Sequence, residues 1–452
     1  MSELLLSFYG DDFTGSTDVL EALSINGVPT VLFLNTPTLE QVRTQFPEVR
    51  AVGIAGVSRS LTPAQMDAQL PPKLTALKAL QAPITHYKVC STFDSSPELG
   101  SIGHAVDLGC DIFHPSFVPL LVGAPQLKRY VVFGNLFATV GDRTFRLDRH
   151  PTMSRHPATP MAESDLAFHL QAQSPRRSHS IDLKALSTSR ESLLGQIQAL
   201  KQDEAPFVIF DTLGPAELAT IGELLDSLST GAPLFVVGSS GVEYALADAW
   251  LKQGKISAPH KKNTPIPIEQ LVVMSGSASP VNERQIQMAF AQGAIGQRLE
   301  AHLLVDPSKA DQERKSAIKQ ALLHLASGRS LVLYTVLGPD DPSIEKTISQ
   351  IAQLGLSAEG TSKILGREQG LILNALIEHG GLKRVCVAGG DTSGYVAATM
   401  EIEALEFIAS VATGAPLCRV SSRIPSNDGI EIAFKGGQNG SDDYFEILRR
   451  GV

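Results

Sequence analysis

Residues 4–18 read Leu4-Leu5-Leu6-Ser7-Phe8-Tyr9-Gly10-Asp11-Asp12-Phe13-Thr14-Gly15-Ser16-Thr17-Asp18, and this stretch sets the fold class. Leu4 to Phe8 is a short apolar run of strand length, and Gly10 to Gly15 carries turn chemistry. Val19, Leu20 and Leu23, with Ala22 near them, then fall on one face of a helix. Thr30 to Leu34 is strand-like again, so the chain opens with one βαβ unit. Parallel strands need such crossovers, and the sheets they build are covered by helices on both faces.

The alternation continues outward. Strands are expected at Val52 to Ala55, Thr85 to Val89, Val131 to Phe133, Phe207 to Phe210 and Leu234 to Val237. Gln253 to Ile268 reads QGKISAPHKKNTPIPI, rich in Pro and Lys and without a period, which marks a linker. Beyond it the pattern restarts, with strands at Gln270 to Met274, Leu331 to Thr335 and Arg384 to Ala388, and helices at Pro280 to Gln292 and Ser393 to Ile402. The expected architecture is two α/β domains with mainly parallel sheets, residues 1–255 and 256–452, and an active site in the cleft between them. His150 to Pro160, HPTMSRHPATP, holds three prolines and is expected to form a rigid irregular loop.

Composition narrows the function classes. The 452 residues are 43% apolar and 19% charged, with 38 Gly and 27 Pro, which excludes a disordered, collagenous or coiled-coil chain. No apolar run approaches the roughly 18 residues of a membrane helix. The Leu4 to Phe8 run has no basic residue before it and leads into acids, unlike a secretory signal, so a cytoplasmic location is expected. Lys plus Arg number 38 against 47 Asp plus Glu, a net charge of -9, which argues against nucleic-acid and anionic-membrane partners. Any anionic ligand must be held by a local cluster. Cys90, Cys110, Cys386 and Cys418 lack the spacing of a zinc knuckle and are expected to behave as small apolar side chains.

Three constellations carry chemistry. Asp11 and Asp12 follow the first strand, where open α/β sheets place ligands, although Asp and Thr there also serve as helix caps. Lys88-Val89-Cys90-Ser91-Thr92-Phe93-Asp94-Ser95-Ser96-Pro97 places a lysine, hydroxyls and an acid after another strand, a set suited to gripping a polyol, with Lys88 opposite a substrate carboxylate. Arg59 adds a guanidinium for the same anion. In the second half, Ser275 to Pro280 and Gly389 to Gly394 each follow a strand and open a helix, so their free N–H groups can take phosphate. Lys435 to Gly440, KGGQNG, adds a third turn of this kind, and Gly238 to Gly241 is read as a plain turn. No Walker loop and no G-x-G-x-x-G occurs.

Together these features suggest phosphoryl transfer from a nucleotide to a small polyhydroxylated acid, with one of Asp11 and Asp12 as base and Mg²⁺ bridging the phosphates. A haloacid dehalogenase-type phosphatase would need its two acids at i and i+2, whereas Asp11 and Asp12 are adjacent. A non-catalytic sugar-acid sensor is the third class, distinguished by nucleotide binding without turnover.

The motifs Asp-Asp-x-Thr-Gly, KVCSTFDSSP, MSRHPATPM (Met153 to Met161), SGSAS (Ser275 to Ser279) and GGDTSG together resemble the four-carbon acid sugar kinase family over essentially the whole chain. The resemblance implies an ATP-dependent kinase with an N-terminal acid-sugar domain and a C-terminal nucleotide domain. It implies that Asp11, Asp12, Arg59, Lys88, Ser91 and Asp94 lie at the substrate, joined by Arg155 and His156. Ser275, Ser277, Gly389, Gly390, Asp391, Thr392 and Gly437 would lie at ATP. KVCSTFDSSP looks closest to the branch acting on 3-oxo acid sugars such as 3-oxo-tetronates, and His114 to Arg149 looks more like relatives acting on 3-oxo-isoapionate. The expected partners are thus a small acid sugar and ATP, with a homodimer as the assembly to test.

Overall fold

The computed structural model describes residues 3–156, 158–200, 205–230, 233–258 and 264–451. It divides into two compact units, Met1–His260 and Lys261–Val452. Residues 259–263 of the expected linker lie outside the described residues.

The first unit is built on strands β1 (Leu6–Gly10), β2 (Thr30–Phe33), β3 (Ala51–Ala55), β4 (Ile84–Lys88) and β5 (Val118–Leu121). A hairpin set follows, β6 (Arg129–Val132), β7 (Asn135–Val140) and β8 (Arg143–Arg146), and then β9 (Ser178–Ile181), β10 (Phe207–Phe210) and β11 (Leu234–Gly238). The main sheet runs β2-β3-β1-β4-β11-β5-β10-β9 with every pair parallel. Strands β1 to β5, β10 and β11 are buried along their full length, as expected of strands with both faces covered. Packing is tight enough to demand glycine on β3: a Cβ on Gly53 would stand 2.1 Å from the Phe8 ring. The chain moves from one side of β1 to the other between β3 and β4, so β1 and β4 flank a topological switch point.

The expected strand at Val131 to Phe133 is displaced. It begins at Arg129 and belongs to a separate antiparallel sheet, β6-β7-β8, outside the parallel one. Phe133 cannot continue it, because its φ of 48° turns the chain, and Asp211 accepts the Phe133 and Gly134 N–H groups at 2.7 and 2.9 Å.

The second unit contains β12 (Val272–Ser275), β13 (Ile295–Arg298), β14 (Leu331–Tyr334), β15 (Arg384–Ala388), β16 (Ile402–Ala412), β17 (Ala415–Ser422) and β18 (Glu431–Lys435). Their order is β13-β14-β12-β15-β18-β17-β16, parallel from β13 to β18 and antiparallel for the last two pairings. The helix expected over Ser393 to Ile402 instead spans Gly390–Thr399, and Ile402 opens β16. Glu401, at φ 49°, breaks the helical path between them. Among the described residues no helix is long and apolar enough to cross a membrane.

Candidate functional site

Three neighbouring strands of the first unit deliver one cluster. Gly10 of β1 lies opposite Ala55 of β3 and Lys88 of β4, so the loops leaving all three strands emerge side by side. The Asp11 N–H donates to the Lys88 carbonyl at 2.9 Å, and the Arg59 N–H donates to the Asp11 carbonyl at 3.0 Å. These bonds fix the backbone from which the charged groups extend.

The two adjacent acids have different fates, as alternating side-chain directions require. Asp12 is the N-cap of the helix Phe13–Ile25: its Oδ1 accepts the Gly15 N–H at 2.6 Å, while Oδ2 lies 3.3 Å from the Arg59 guanidinium. Asp11 is buried, and its Oδ1 has no hydrogen-bond partner. Burial first, and the Asp12 charge second, raise the Asp11 carboxyl to about 7 against the opposing pull of Arg59 and Lys88. Arg59 also reaches Asp94 at 2.5 Å, and Asp94 accepts from Thr92 at 2.5 Å. Burial works against the Asp94 charge, but Arg59 and the Thr92 hydroxyl outweigh it and hold this carboxyl below its ordinary value. Lys88 is buried with its Nζ 3.7 Å from Asp18. Burial disfavours its charge, yet Asp18, Asp11 and Asp12 together hold the ammonium above its ordinary value. A Cβ on Gly15 would lie 2.4 Å from Asp12 Oδ1 and 3.0 Å from Lys88 Nζ, so only glycine lets cap and lysine approach.

The proline-rich loop covers part of this cluster. Thr159 Oγ1 donates to Asp94 at 3.4 Å and lies 3.1 Å from His156 Nδ1, which brings His156 to the acid. Arg155, on the same loop, is exposed, with no ion pair to the cluster among the described residues; Pro157 lies outside them. Ser91 is partly exposed in the Cys90–Phe93 turn. Below Lys88 on β4, His86 Nδ1 meets Glu243 at 2.5 Å, both fully buried, and His86 Nε2 meets the Gly238 carbonyl at 3.1 Å. The Gly238–Gly241 turn, beside this pair, is the start of the helix Gly241–Lys252.

In the second unit the turns after β12, β15 and β18 meet in the same way. Gly276 N–H donates to Ala388 at 2.9 Å and Gly389 N–H to Lys435 at 3.0 Å. Ser279 Oγ donates to the Gly437 carbonyl at 2.8 Å. A Cβ on Gly437 would stand 2.2 Å from Ser277 Oγ, and one on Gly389 would stand 3.0 Å from Thr392 Oγ1. Ser279 and Gly389 cap the helices Pro280–Ala291 and Gly390–Thr399, whose first N–H groups have no carbonyl partners within the helix. Gly390 is exposed at the start of the second helix, and the Asp391 side chain lies outside the described residues.

The residues match known proteins along the whole chain. A family model described as a sugar-binding N-terminal domain matches residues 6–246, and one described as a nucleotide-binding C-terminal domain matches residues 272–445. A Paraburkholderia graminis protein named 3-oxo-isoapionate kinase is 43% identical over 448 residues, covering 99% of this chain and 94% of its own. The chain belongs to the four-carbon acid sugar kinase family. A more distant member, the Cupriavidus necator protein named 3-oxo-tetronate kinase, is 28% identical over 450 residues, 99% and 97% of the two chains. A solved Salmonella typhimurium LT2 protein, provisionally described as a tRNA synthase, superposes with a TM-score of 0.78 at 25% identity over 98% of each chain.

Within this member of the acid sugar kinase family, the cluster of turns in the second unit includes side chains that carry no signal of their own in the sequence. Gln369, in the helix Ala358–Gly380, is buried with neither amide atom hydrogen-bonded, and its Nε2 would lie 3.2 Å from a Cβ on Gly276. Asn282 donates to Ser275 Oγ at 2.8 Å and accepts from Lys435 Nζ at 3.4 Å. Lys435 is fully buried beside the rings of Tyr444 and Phe445, and burial lowers its ammonium to about 8. In the sequence, the glycines of KGGQNG stand out as turn formers, and nothing local signals that Lys435 is buried.

Proposed function

We propose that this chain is an ATP-dependent kinase that phosphorylates a hydroxyl of a 3-oxo acid sugar, with 3-oxo-isoapionate ahead of 3-oxo-tetronate as substrate. The observation that carries the reading is the buried Asp11 carboxyl, unpartnered at Oδ1 and raised to about 7, at a cluster of cations in the sugar-binding half of the chain. The 43% identity to the protein named 3-oxo-isoapionate kinase supports the substrate order.

In this reading Asp11 is the general base and accepts the proton of the attacking hydroxyl, a role suited to a carboxyl that titrates near the working pH. Asp12 is spent on the helix cap and on Arg59, so it positions the guanidinium. Lys88, Arg59, Ser91, Asp94, Arg155 and His156 bind the sugar acid. Ser275, Ser277, Gly389, Gly390, Asp391, Thr392 and Gly437 hold the nucleotide through N–H groups at two helix starts, with Lys435 adding charge. The bound ATP supplies the transferred phosphoryl group. The described residues contain no group of three His, Cys, Asp or Glu that could cage a metal. Mg²⁺ fits as an ion carried mainly by phosphate oxygens and water, with Asp391 the acid nearest by sequence in the phosphate turn. A coupled ADP-release screen against four- and five-carbon sugar acids and their 3-oxo forms tests the reading. Turnover confined to 3-oxo acids supports it; release of free phosphate from phosphorylated acid sugars, without ADP formation, overturns it.

A further inference from the structure

Arg59 and Lys88, two of the cations assigned to the sugar acid, are already engaged by acids of the chain itself. Arg59 is shared between Asp12 and Asp94, and Lys88 faces Asp18. An incoming carboxylate therefore meets no free cation among them. One stands beside them. Arg129, the first residue of β6, makes no ion pair among the described residues, and its Nε is buried without an acceptor. Its Nη1 donates to the Leu127 and Lys128 carbonyls at 2.9 and 3.3 Å, which pins the guanidinium. The backbone is pinned too, since Arg129 and Ala124 exchange both N–H···O bonds at 3.0 and 3.1 Å just past the end of β5. Gly238 of β11 lies opposite both Lys88 of β4 and Leu121 of β5, so the segment that carries Arg129 leaves the same end of the sheet as the Lys88 loop.

A second donor follows the β7 strand that pairs with β6, at the end of the turn Leu147–Arg149 packed against β7. His150 is 4% exposed, and its Nδ1 accepts the Thr152 and Met153 N–H groups at 3.2 and 3.1 Å. That pattern places the ring proton on Nε2, which is buried and has no partner. Burial and the nearby Arg129 charge keep the ring neutral to lower pH than usual, so it stays in this donor form. Two buried donors lacking acceptors are costly unless a ligand supplies the oxygens.

We propose that Arg129 Nε and His150 Nε2 form an anion-binding recess that receives the carboxylate of the sugar acid. Arg59 and Lys88 then face its hydroxyl and oxo groups. This assignment rests on the kinase reading for the identity of the ligand. It extends substrate recognition to the antiparallel β6-β7-β8 sheet and to His150, neither of which carried a site residue in the sequence.

The test uses the full chain with Arg129→Met and His150→Asn, the latter keeping an acceptor for the Thr152 and Met153 N–H groups. Steady-state ADP release gives KM and kcat for the preferred sugar acid, for its uncharged amide and for ATP. Calorimetry without nucleotide gives the affinity of the acid alone. The recess predicts that each variant raises KM for the acid at least tenfold, with kcat within threefold, while KM for the amide and for ATP stays within twofold. Arg129→Lys, which keeps the charge but loses Nε, should recover part of the loss. Equal losses for acid and amide, or an unchanged KM for the acid in folded variants, overturn the recess. Wild-type protein that binds the acid tightly but releases no ADP overturns the kinase reading and leaves the recess to be judged by variant affinities. Wild-type protein that neither binds nor phosphorylates any acid overturns both.

Discussion

Replacing Asp11 by Asn separates the chemistry of the site from its cost to folding. Asp11 has an ordinary carboxyl value of 3.8 raised to about 7 in the folded chain. The unfolded chain therefore releases this proton near pH 4, whereas the folded chain keeps it to about pH 7. The folded state binds more protons across that window, so the Asp11 contribution to stability is complete below about pH 4, falls as pH rises, and is lost above about 7. About three pH units at roughly 1.4 kcal/mol each put the penalty at neutral pH at up to about 4 kcal/mol. Asn cannot ionise and escapes it. Denaturant unfolding of both proteins from pH 4.5 to 8 should show Asp11→Asn gaining on the wild type through this range, by as much as a few kcal/mol at pH 8. The same variant should lose turnover by several orders of magnitude, and the wild-type kcat/KM should show an acid limb near pH 7, with about one tenth of the sites ionised at pH 6. Parallel stability curves, or a fully active Asp11→Asn protein, would refute the assignment of Asp11 as a buried, high-pKa base.

Arg59→Met removes a cation that lowers the Asp11 carboxyl, so the acid limb should move to higher pH as KM for the sugar acid rises at least tenfold; a pH profile with an unmoved limb would contradict the coupling. Gly437→Ala puts a Cβ 2.2 Å from Ser277 Oγ and 2.9 Å from Ser279 Cβ, so KM for ATP should rise tenfold or more while KM for the sugar acid stays within twofold, measured by the same coupled assay. Gly53→Ala drives a methyl into the Phe8 ring and should cost roughly 1–3 kcal/mol in urea unfolding without altering either KM in protein that folds.

The strand, turn and helix of residues 6–25 were legible because their signals are local: an apolar run, a Gly-Asp-Asp turn and a capping acid. The serine- and glycine-rich turns that open helices after β12 and β15 were legible for the same reason. Strand order was not. Nothing near residues 51 or 84 says that β3 and β4 flank β1, yet that adjacency brings Arg59 and Lys88 to Asp11. Gln369 was hidden because it sits in mid-helix, remote from any turn. Its neighbours carried a signal: Gly366 and Gly370, four apart, let the helix Gly390–Thr399 approach, and Cβ atoms there would meet Tyr395 and Thr399 at 2.5 and 2.6 Å. Glycines at that spacing in a strong helix mark close packing, and the residue between them was worth weighing. The hairpin of β16 and β17 is obscured because the helical pattern runs on to Ile402, where β16 begins, although Thr413-Gly414 offers a turn and Gly414 adopts φ 73°.

The first unit gathers Asp11, Asp12, Asp18 and Asp94 against Arg59, Lys88 and Arg129, so the gathering is nearly neutral on a chain of net charge -9. Such a mouth exerts little long-range pull on a negatively charged metabolite. Capture should proceed at an ordinary diffusional rate, nearly indifferent to ionic strength, and discrimination must arise after contact, in how long the correct molecule stays.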